Sequence, residues 1–308
     1  MPVNLFEVSS GPHIRGPVNG AQIMWALVIA LLFPVAAAVY FFGKSALALI
    51  VFTVLVAVIS EALFQLIARR PLNFMDGSAV VTGILLALII PPTLPLWMAG
   101  IGAIVAIALV KGLFGGLGFN IFNPALAARA LLLASWPVAM TAWVRPFDAV
   151  TTATPLFLAK TGQAVPGYWE LFIGQRAGSL GETSALAILI GAAILLILKV
   201  IDWPAPTAFI GTVFVLTLVL GKDPVFHVLS GGLLLGAFFM ATDYVTVPVT
   251  ASGRFIFGLG CGIITVLIRL YGGFPEGVNY AILLMNILTP IIDKYARPRL
   301  FGEMRKHA

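Results

Sequence analysis

AQIMWALVIALLFPVAAAVYFF, residues 21–42, and ALALIVFTVLVAVISEALFQLIA, residues 46–68, carry a single charged side chain between them, Glu61. Each run reaches the roughly 20 residues that an α-helix needs to cross about 30 Å of hydrocarbon. Runs of the same kind, bounded by Gly, Pro or charge, recur at 77–91, 95–112 and 123–136, and again at 185–201, 206–220, 226–242, 254–271 and 278–294. Of all 308 residues, 60% are apolar and 10% charged, against about 45–50% and about 25% in soluble domains. A packed core cannot absorb that excess, because even a large globule leaves about a quarter of its surface to be covered by polar groups. A soluble enzyme is excluded. Ten spans of about 20 residues use about 200 residues, so the chain reads as an all-α polytopic membrane protein of about ten transmembrane helices.

The ten runs fall into five, a gap, and five. Gly77-Ser78-Ala79-Val80-Val81-Thr82-Gly83 has a counterpart in Gly231-Gly232-Leu233-Leu234-Leu235-Gly236, and Lys111-Gly112-Leu113-Phe114-Gly115-Gly116 echoes Arg269-Leu270-Tyr271-Gly272-Gly273. Five is odd, so a second copy enters the membrane from the opposite side, and the pattern predicts two inverted-topology repeats. Glycine-rich apolar sequences also look alike without being repeats. The boundaries expected are a cytoplasmic segment 1–20, a first repeat 21–136, an extracytoplasmic loop 137–184, a second repeat 185–294 and a cytoplasmic basic tail 295–308. Both halves break after their third run, at Pro91-Pro92-Thr93-Leu94-Pro95 and at Asp243-Tyr244-Val245-Thr246-Val247-Pro248. Matched interruptions point to a central site, since irregular backbone at membrane depth needs protein or water to satisfy it. Ordinary interhelical loops would read the same way.

The net charge of +6 reports topology rather than nucleic acid, because the basic residues are scattered over short loops and the tail. With the N-terminus inside, eleven Lys and Arg face the cytoplasm (Arg15, Arg69, Arg70, Lys111, Lys199, Arg254, Lys294, Arg297, Arg299, Arg305, Lys306). Six face outward (Lys44, Arg145, Lys160, Arg176, Lys222, Arg269), and Arg129 lies within a run. That excess predicts both termini in the cytoplasm. The first apolar run is too long for a secretory signal. The single cysteine, Cys261, excludes a disulfide framework or Cys-rich metal site.

Ionisable residues inside apolar runs are functional candidates. Glu61 lies about 12 Å from Arg69 along a helix, and a Glu61–Arg129 pair would neutralise two buried charges, either structurally or as part of an ion path. Asp243 is the better candidate for cation binding, with Thr242 and Thr246 adding the oxygen ligands that a hard cation such as sodium favours. Asp76 before Gly77 reads as a helix cap. Asn123-Pro124 is a helix start. A second reading has Gly115, Gly116 and Gly118 admitting a planar ligand whose polar edge Asn120 and Asn123 would hydrogen-bond.

The outward loop contains Asp148-Ala149-Val150-Thr151-Thr152-Ala153-Thr154-Pro155-Leu156. By composition this is a Thr-rich turn with hydroxyls placed to cap a short helix. It also resembles the flavin-attachment motif of the RnfD and NqrB membrane subunits: Asp, two variable residues, Ser or Thr, Gly, Ala and Thr, the last Thr carrying FMN through its phosphate. Asp148, Thr151, Ala153 and Thr154 match, and Thr152 stands where the family has Gly. The surrounding strings are similar to RnfD along the whole chain: Ser10-Gly11-Pro12-His13-Ile14-Arg15, Asp76 to Gly83, Gly115 to Ala125, Gly181-Glu182-Thr183-Ser184, Met240-Ala241-Thr242-Asp243 and Pro275-Glu276-Gly277-Val278.

The resemblance implies covalent FMN on Thr154 and electron relay in an Rnf-type complex that couples ferredoxin:NAD electron transfer to Na+ or H+ translocation in the cell inner membrane. It implies RnfA, RnfB, RnfC, RnfE and RnfG as partners in the lipid bilayer, a flavin transferase for attachment, and, by similarity to NqrB, a second noncovalent flavin such as riboflavin near Asn120 and Asn123. The alternatives are an NqrB-like subunit of a sodium-pumping quinone reductase and an inverted-repeat channel or transporter.

Overall fold

A computed structural model describes residues 19–147, 150–273 and 276–296. The first helix, α1 (Gly20–Ile67), opens on a capping box in which the Asn19 side chain accepts from Gln22 N–H at 2.9 Å and the Gln22 side chain accepts from Asn19 N–H at 3.0 Å. As one straight rod its 48 residues would be about 72 Å long. It is not straight, because Gly43 takes φ 69°, ψ −149°, a conformation essentially restricted to glycine. Trp25 near one end donates to Met75 O at 3.4 Å, and Gln65 near the other accepts from Asn73 N–H at 2.9 Å. Both ends therefore meet the same turn, and the chain folds back at Gly43. The Phe41 carbonyl freed by the break accepts from Phe147 N–H at 3.2 Å, and the Phe42 carbonyl accepts from the Ser45 hydroxyl at 3.0 Å.

A 3-10 turn (Phe74–Asp76) leads to α2 (Ser78–Ile89), then α3 (Leu96–Ile104), which runs on as a π-helix over Val105–Gly112, and α4 (Pro124–Ser135). The connecting region holds α5 (Pro137–Met140), α6 (Pro155–Lys160) and α7 (Tyr168–Ile173). Then come α8 (Ala185–Ile197), α9 (Pro204–Val219), α10 (Pro224–Leu229), α11 (Leu233–Leu235) with a π-helical continuation Gly236–Met240, α12 (Ala251–Tyr271) and α13 (Val278–Tyr295). No strand occurs among the described residues; there is one antiparallel bridge, Val144 with Thr151.

Among the described residues, two helices, α1 and α12, are long and apolar enough to cross a membrane. The runs at 77–91 and 123–136 give only the 12-residue α2 and α4, about 18 Å each and too short to cross alone. The run at 226–242 is not one helix: Ser230, Gly231 and Gly232 divide it, the glycines at φ 65° and 66°. Prolines end the first-half run at Pro91, as expected, while glycines break its second-half counterpart from within.

Small residues let the helices approach backbone to backbone. A Cβ on Gly258 would lie 2.4 Å from Ala205 O, one on Gly191 2.5 Å from Ala30 O, and one on Gly83 2.8 Å from Val54 Cα. The opposite faces are apolar and uncovered. Leu47, Val51, Leu55, Ile59 and Leu63 form an exposed stripe at four-residue spacing along α1, a surface suited to lipid.

α4 and α13 pair antiparallel and reciprocally. Arg129 in α4 forms an ion pair with Glu276, just before α13, and Asn286 in α13 accepts from Asn123 N–H, at the cap of α4, at 3.1 Å once its amide is oriented by its hydrogen bonds.

Gly43 has open space around its Cα, so Gly43→Ala tests conformation alone. It is expected to cost about 1–3 kcal/mol and to lower the melting temperature in detergent. Gly20→Ala, a helical position with equally open space, is the control expected to leave it unchanged.

Candidate functional site

The Thr-rich segment forms the second arm of a short hairpin. Arg145 N–H donates to Val150 O and Thr152 N–H to Trp143 O, both at 2.9 Å, on either side of the Val144–Thr151 bridge. Asp148 lies outside the described residues. Thr151 is exposed, Thr152 and Ala153 half-buried, and Thr154 buried at 5% exposure. Thr154 caps α6, with Pro155 at the first helical position, but its hydroxyl accepts from Phe157 N–H only at a long 3.4 Å. The hydroxyl is positioned and weakly engaged.

A cleft between the two halves gathers several of the other candidates. Asn120, Asn123, Thr242 and Asp243 line it together with Ser78, Thr82, Lys111 and Tyr244. It offers about 60 Å³ of space to water-sized groups, room for about four of them. A second cavity of about 220 Å³, lined by Val200, Asp202, Val249 and Arg254, shares the wall Thr242–Asp243–Tyr244 with the first. Asp243 accepts from Val245 N–H at 3.4 Å and from the Thr246 hydroxyl at 3.3 Å. The Thr242 hydroxyl is turned to Phe238 O at 2.7 Å, and Tyr244 donates to Val200 O.

The predicted Glu61–Arg129 pair does not form. Glu61 pairs with Lys111 at 2.5 Å, and Lys111 also donates to the Ser78 hydroxyl at 2.6 Å. Asp76 accepts from Ser78 N–H at 2.8 Å and from its hydroxyl at 2.5 Å, which bears out the cap. Arg129 instead meets Glu276, because α4 turns this face toward α13. Sequence reasoning counted Lys111 as a loop cation, although it lies within the run 95–112. Gly115 and Gly116 do not line the cleft. They adopt φ 132° and 101° in a turn, where the Phe119 ring lies against Gly115. Asn120 donates to Phe122 O at 2.9 Å, and Asn123 caps α4 by accepting from Ala125 N–H at 3.1 Å, so the helix-start reading of Asn123 holds.

A second group of charges was not expected as a group: buried Arg176, Glu182 and Arg269 and half-buried Glu276 gather with Arg129, the one member already singled out. Arg176 donates to Leu229 O and Glu182 O. Arg269 donates to His227 O at 2.6 Å and Ser230 O at 2.8 Å, and more weakly to Gly231 O and Glu276 O. In the connecting region, burial pushes the Glu182 carboxyl up to about 7. Nearby Glu276 adds to this, and Arg129 and Arg176 oppose it. Their distance in sequence hid this group.

Breaking the Lys111–Glu61 pair leaves an uncompensated buried charge, which costs about 3–5 kcal/mol. Lys111→Met is therefore expected to unfold at a clearly lower temperature than Lys111→Met combined with Glu61→Gln. Glu182 yields a pH prediction. Its carboxyl is raised on folding, so its contribution to stability is full below about pH 4.5 and is lost as pH rises through about 7. Glu182→Gln should flatten the fall in melting temperature over that window; an unchanged slope would assign it to other groups.

The chain matches the NQR2, RnfD, RnfE family over residues 7–302. It is 50% identical over 301 residues to the D subunit of the Na(+)-translocating ferredoxin:NAD(+) oxidoreductase complex of Acetobacterium woodii, covering 96% of this chain and 95% of that one. It is 46% identical over 324 residues to the D subunit of the proton-translocating ferredoxin:NAD(+) oxidoreductase complex of Clostridium ljungdahlii, covering 98% of each. It is 39% identical over 298 residues to the D subunit of the ion-translocating oxidoreductase complex of Methanosarcina acetivorans, covering 96% and 97%. With a match over nearly its whole length and relatives of this identity, the chain belongs to the NQR2, RnfD, RnfE family.

Proposed function

We propose that this chain is the membrane subunit of an Rnf-type complex, relaying electrons through FMN held covalently at Thr154 and coupling ferredoxin:NAD electron transfer to Na+ or H+ movement. The observation that carries the reading is the hairpin: the matching residues Thr151, Ala153 and Thr154 run from its bridge to a hydroxyl with only a long 3.4 Å hydrogen bond. Bound there, FMN supplies electron transfer by its isoalloxazine ring, and the tether keeps its local concentration high. The chain's part is to fix the attachment point and to surround the ring with dipoles and charge. The relatives named for ferredoxin and NAD favour this over a quinone reductase.

Ten spans in two inverted repeats, multi-pass in the cytoplasmic membrane with both termini inside, is the topology we propose. The reciprocal α4–α13 contact supports it, since a two-fold in the membrane plane sets equivalent helices antiparallel. So does the grouping of the connections. The 70 and 112 turns meet, as do 202 with 254 and 250 with 296, while 41 meets 147, 93 meets 142 and 160 meets 272. Asp243, between two cavities, is the proposed cation site. Asn120 and Asn123, which line the cleft, are the proposed contacts of a second flavin, and the other Rnf subunits are the proposed partners.

The denatured wild-type chain, made in a host with the flavin transferase, is expected to fluoresce on a gel, and Thr154→Ala is expected to lose the signal entirely. A dark wild-type band, or a fluorescent variant, would sink the attachment. Asp243→Asn is expected to reduce ion uptake into vesicles by at least about tenfold, equivalent to about 1.4 kcal/mol; unchanged uptake would remove Asp243 from the path.

A further inference from the structure

Where α6, α9 and α12 end, they leave a pocket lined by Leu156, Lys160, Leu220, Lys222, Arg269 and Tyr271 among others. It offers about 370 Å³ of space to water-sized groups, room for about twenty-five of them. Its charge is one-sided: three cations line it and, among the described residues, no carboxylate does. Asp223, next to Lys222 in sequence, has both oxygens engaged, one by Phe226 N–H at 3.1 Å and the other by the Tyr168 hydroxyl at 2.5 Å. Glu276, whose carbonyl accepts from Arg269, has its carboxylate on Arg129. The cations differ in what they have left to give. Arg269 is buried with its N–H groups spread over carbonyls, so it supplies fixed charge. Lys160 donates to Gly272 O and keeps two further N–H donors. The exposed Lys222 ammonium makes no hydrogen bond or ion pair among the described residues. Like charges gathered in this way repel one another, and an anion placed among them turns that repulsion into attraction.

The depth of the pocket narrows the choice of anion. α12 has 21 residues and is about 32 Å long, so its end at Tyr271 lies where hydrocarbon gives way to headgroups, whichever way the chain is oriented. Tyr271, 76% exposed, suits that interface. Both membrane helices that end at the pocket keep apolar side chains uncovered in their last turns, Val215, Leu218 and Val219 in α9 and Ile263 and Leu267 in α12. A soluble anion has nothing to lay against those faces, whereas a lipid has its acyl chains. We infer that the pocket seats the phosphate headgroup of an anionic phospholipid, held by Lys160 and Lys222 in the field of Arg269, with its chains along α9 and α12. The site is separate from the flavin reading, since Thr154 stands at the opposite end of α6 and does not line the pocket.

The test titrates the full-length chain, in a nonionic detergent, with phosphatidylglycerol, phosphatidylcholine or inorganic phosphate. Lipid retained per chain is counted by native mass spectrometry, and melting temperature follows occupancy. Phosphatidylglycerol is expected to be retained and to raise the melting temperature, and phosphatidylcholine to do neither. Equal retention of the two lipids, or displacement of phosphatidylglycerol by inorganic phosphate, overturns the inference. Lys222→Gln is expected to weaken retention about fivefold, the worth of one lysine beside anionic lipid, and Lys222→Arg to restore it. Because the Lys222 ammonium has no partner to lose, this variant keeps the fold; unchanged retention in it counts against the site. Lys44→Gln removes the same charge from an exposed position outside the pocket and is expected to leave retention as it was. An equal loss there assigns the effect to diffuse attraction and overturns the site. Thr154→Ala is expected to retain the lipid as the wild type does, and loss of retention in that variant hands the pocket to the flavin phosphate.

Discussion

Arg269 holds together the most irregular part of the molecule. The last carbonyls of α10 have no helical partner, and the glycine turn that follows adds more, in a region with little water to satisfy them. The Arg269 guanidinium takes His227 O, Ser230 O and Gly231 O, and reaches across to Glu276 O before α13. Arg176 takes Leu229 O and ties the same corner to the connecting region through Glu182 O. Without these two cations the short helices on either side of the turn would leave polar backbone bare, at about 1–3 kcal/mol for each group.

Lys111 does the equivalent work in the first half. It lies at the end of the run 95–112, as Arg269 lies near the end of α12, and reaches the start of α2 through the Ser78 hydroxyl, as Arg269 reaches the turn before α11. The difference in side chain fits the difference in task. Arginine spreads several N–H donors over several carbonyls, whereas lysine delivers a point charge to Glu61 and one hydroxyl. The half with the unbroken α2 needs only the second.

The apolar runs were legible because burial in lipid imposes length and composition on each segment independently of its neighbours. The cap at Asn123 and the carboxylate at Asp76 were legible for a similar reason, since their partners lie within three residues. The ion pairs were not. Glu61 is 50 residues from Lys111 and Arg129 is 147 from Glu276, and a run of apolar letters does not say which face of a helix meets which neighbour. Arg129 and Glu61 looked like partners because both are charges in apolar surroundings. Gly115 and Gly116 looked like a ligand platform for the same kind of reason, when backbone sterics at positive φ already account for them. At Thr154 the resemblance supplied what composition could not, because a capping threonine and an attachment threonine have the same local pattern.

The wall formed by Thr242, Asp243 and Tyr244 is thin. On one side lies the cleft between the halves, on the other a cavity bounded by Asp202 and Arg254, and the three residues line both. Tyr244, whose phenol is hydrogen-bonded to the Val200 carbonyl, belongs to both linings. Asp243 therefore faces two separate spaces at once, and a charge placed on it is felt in both.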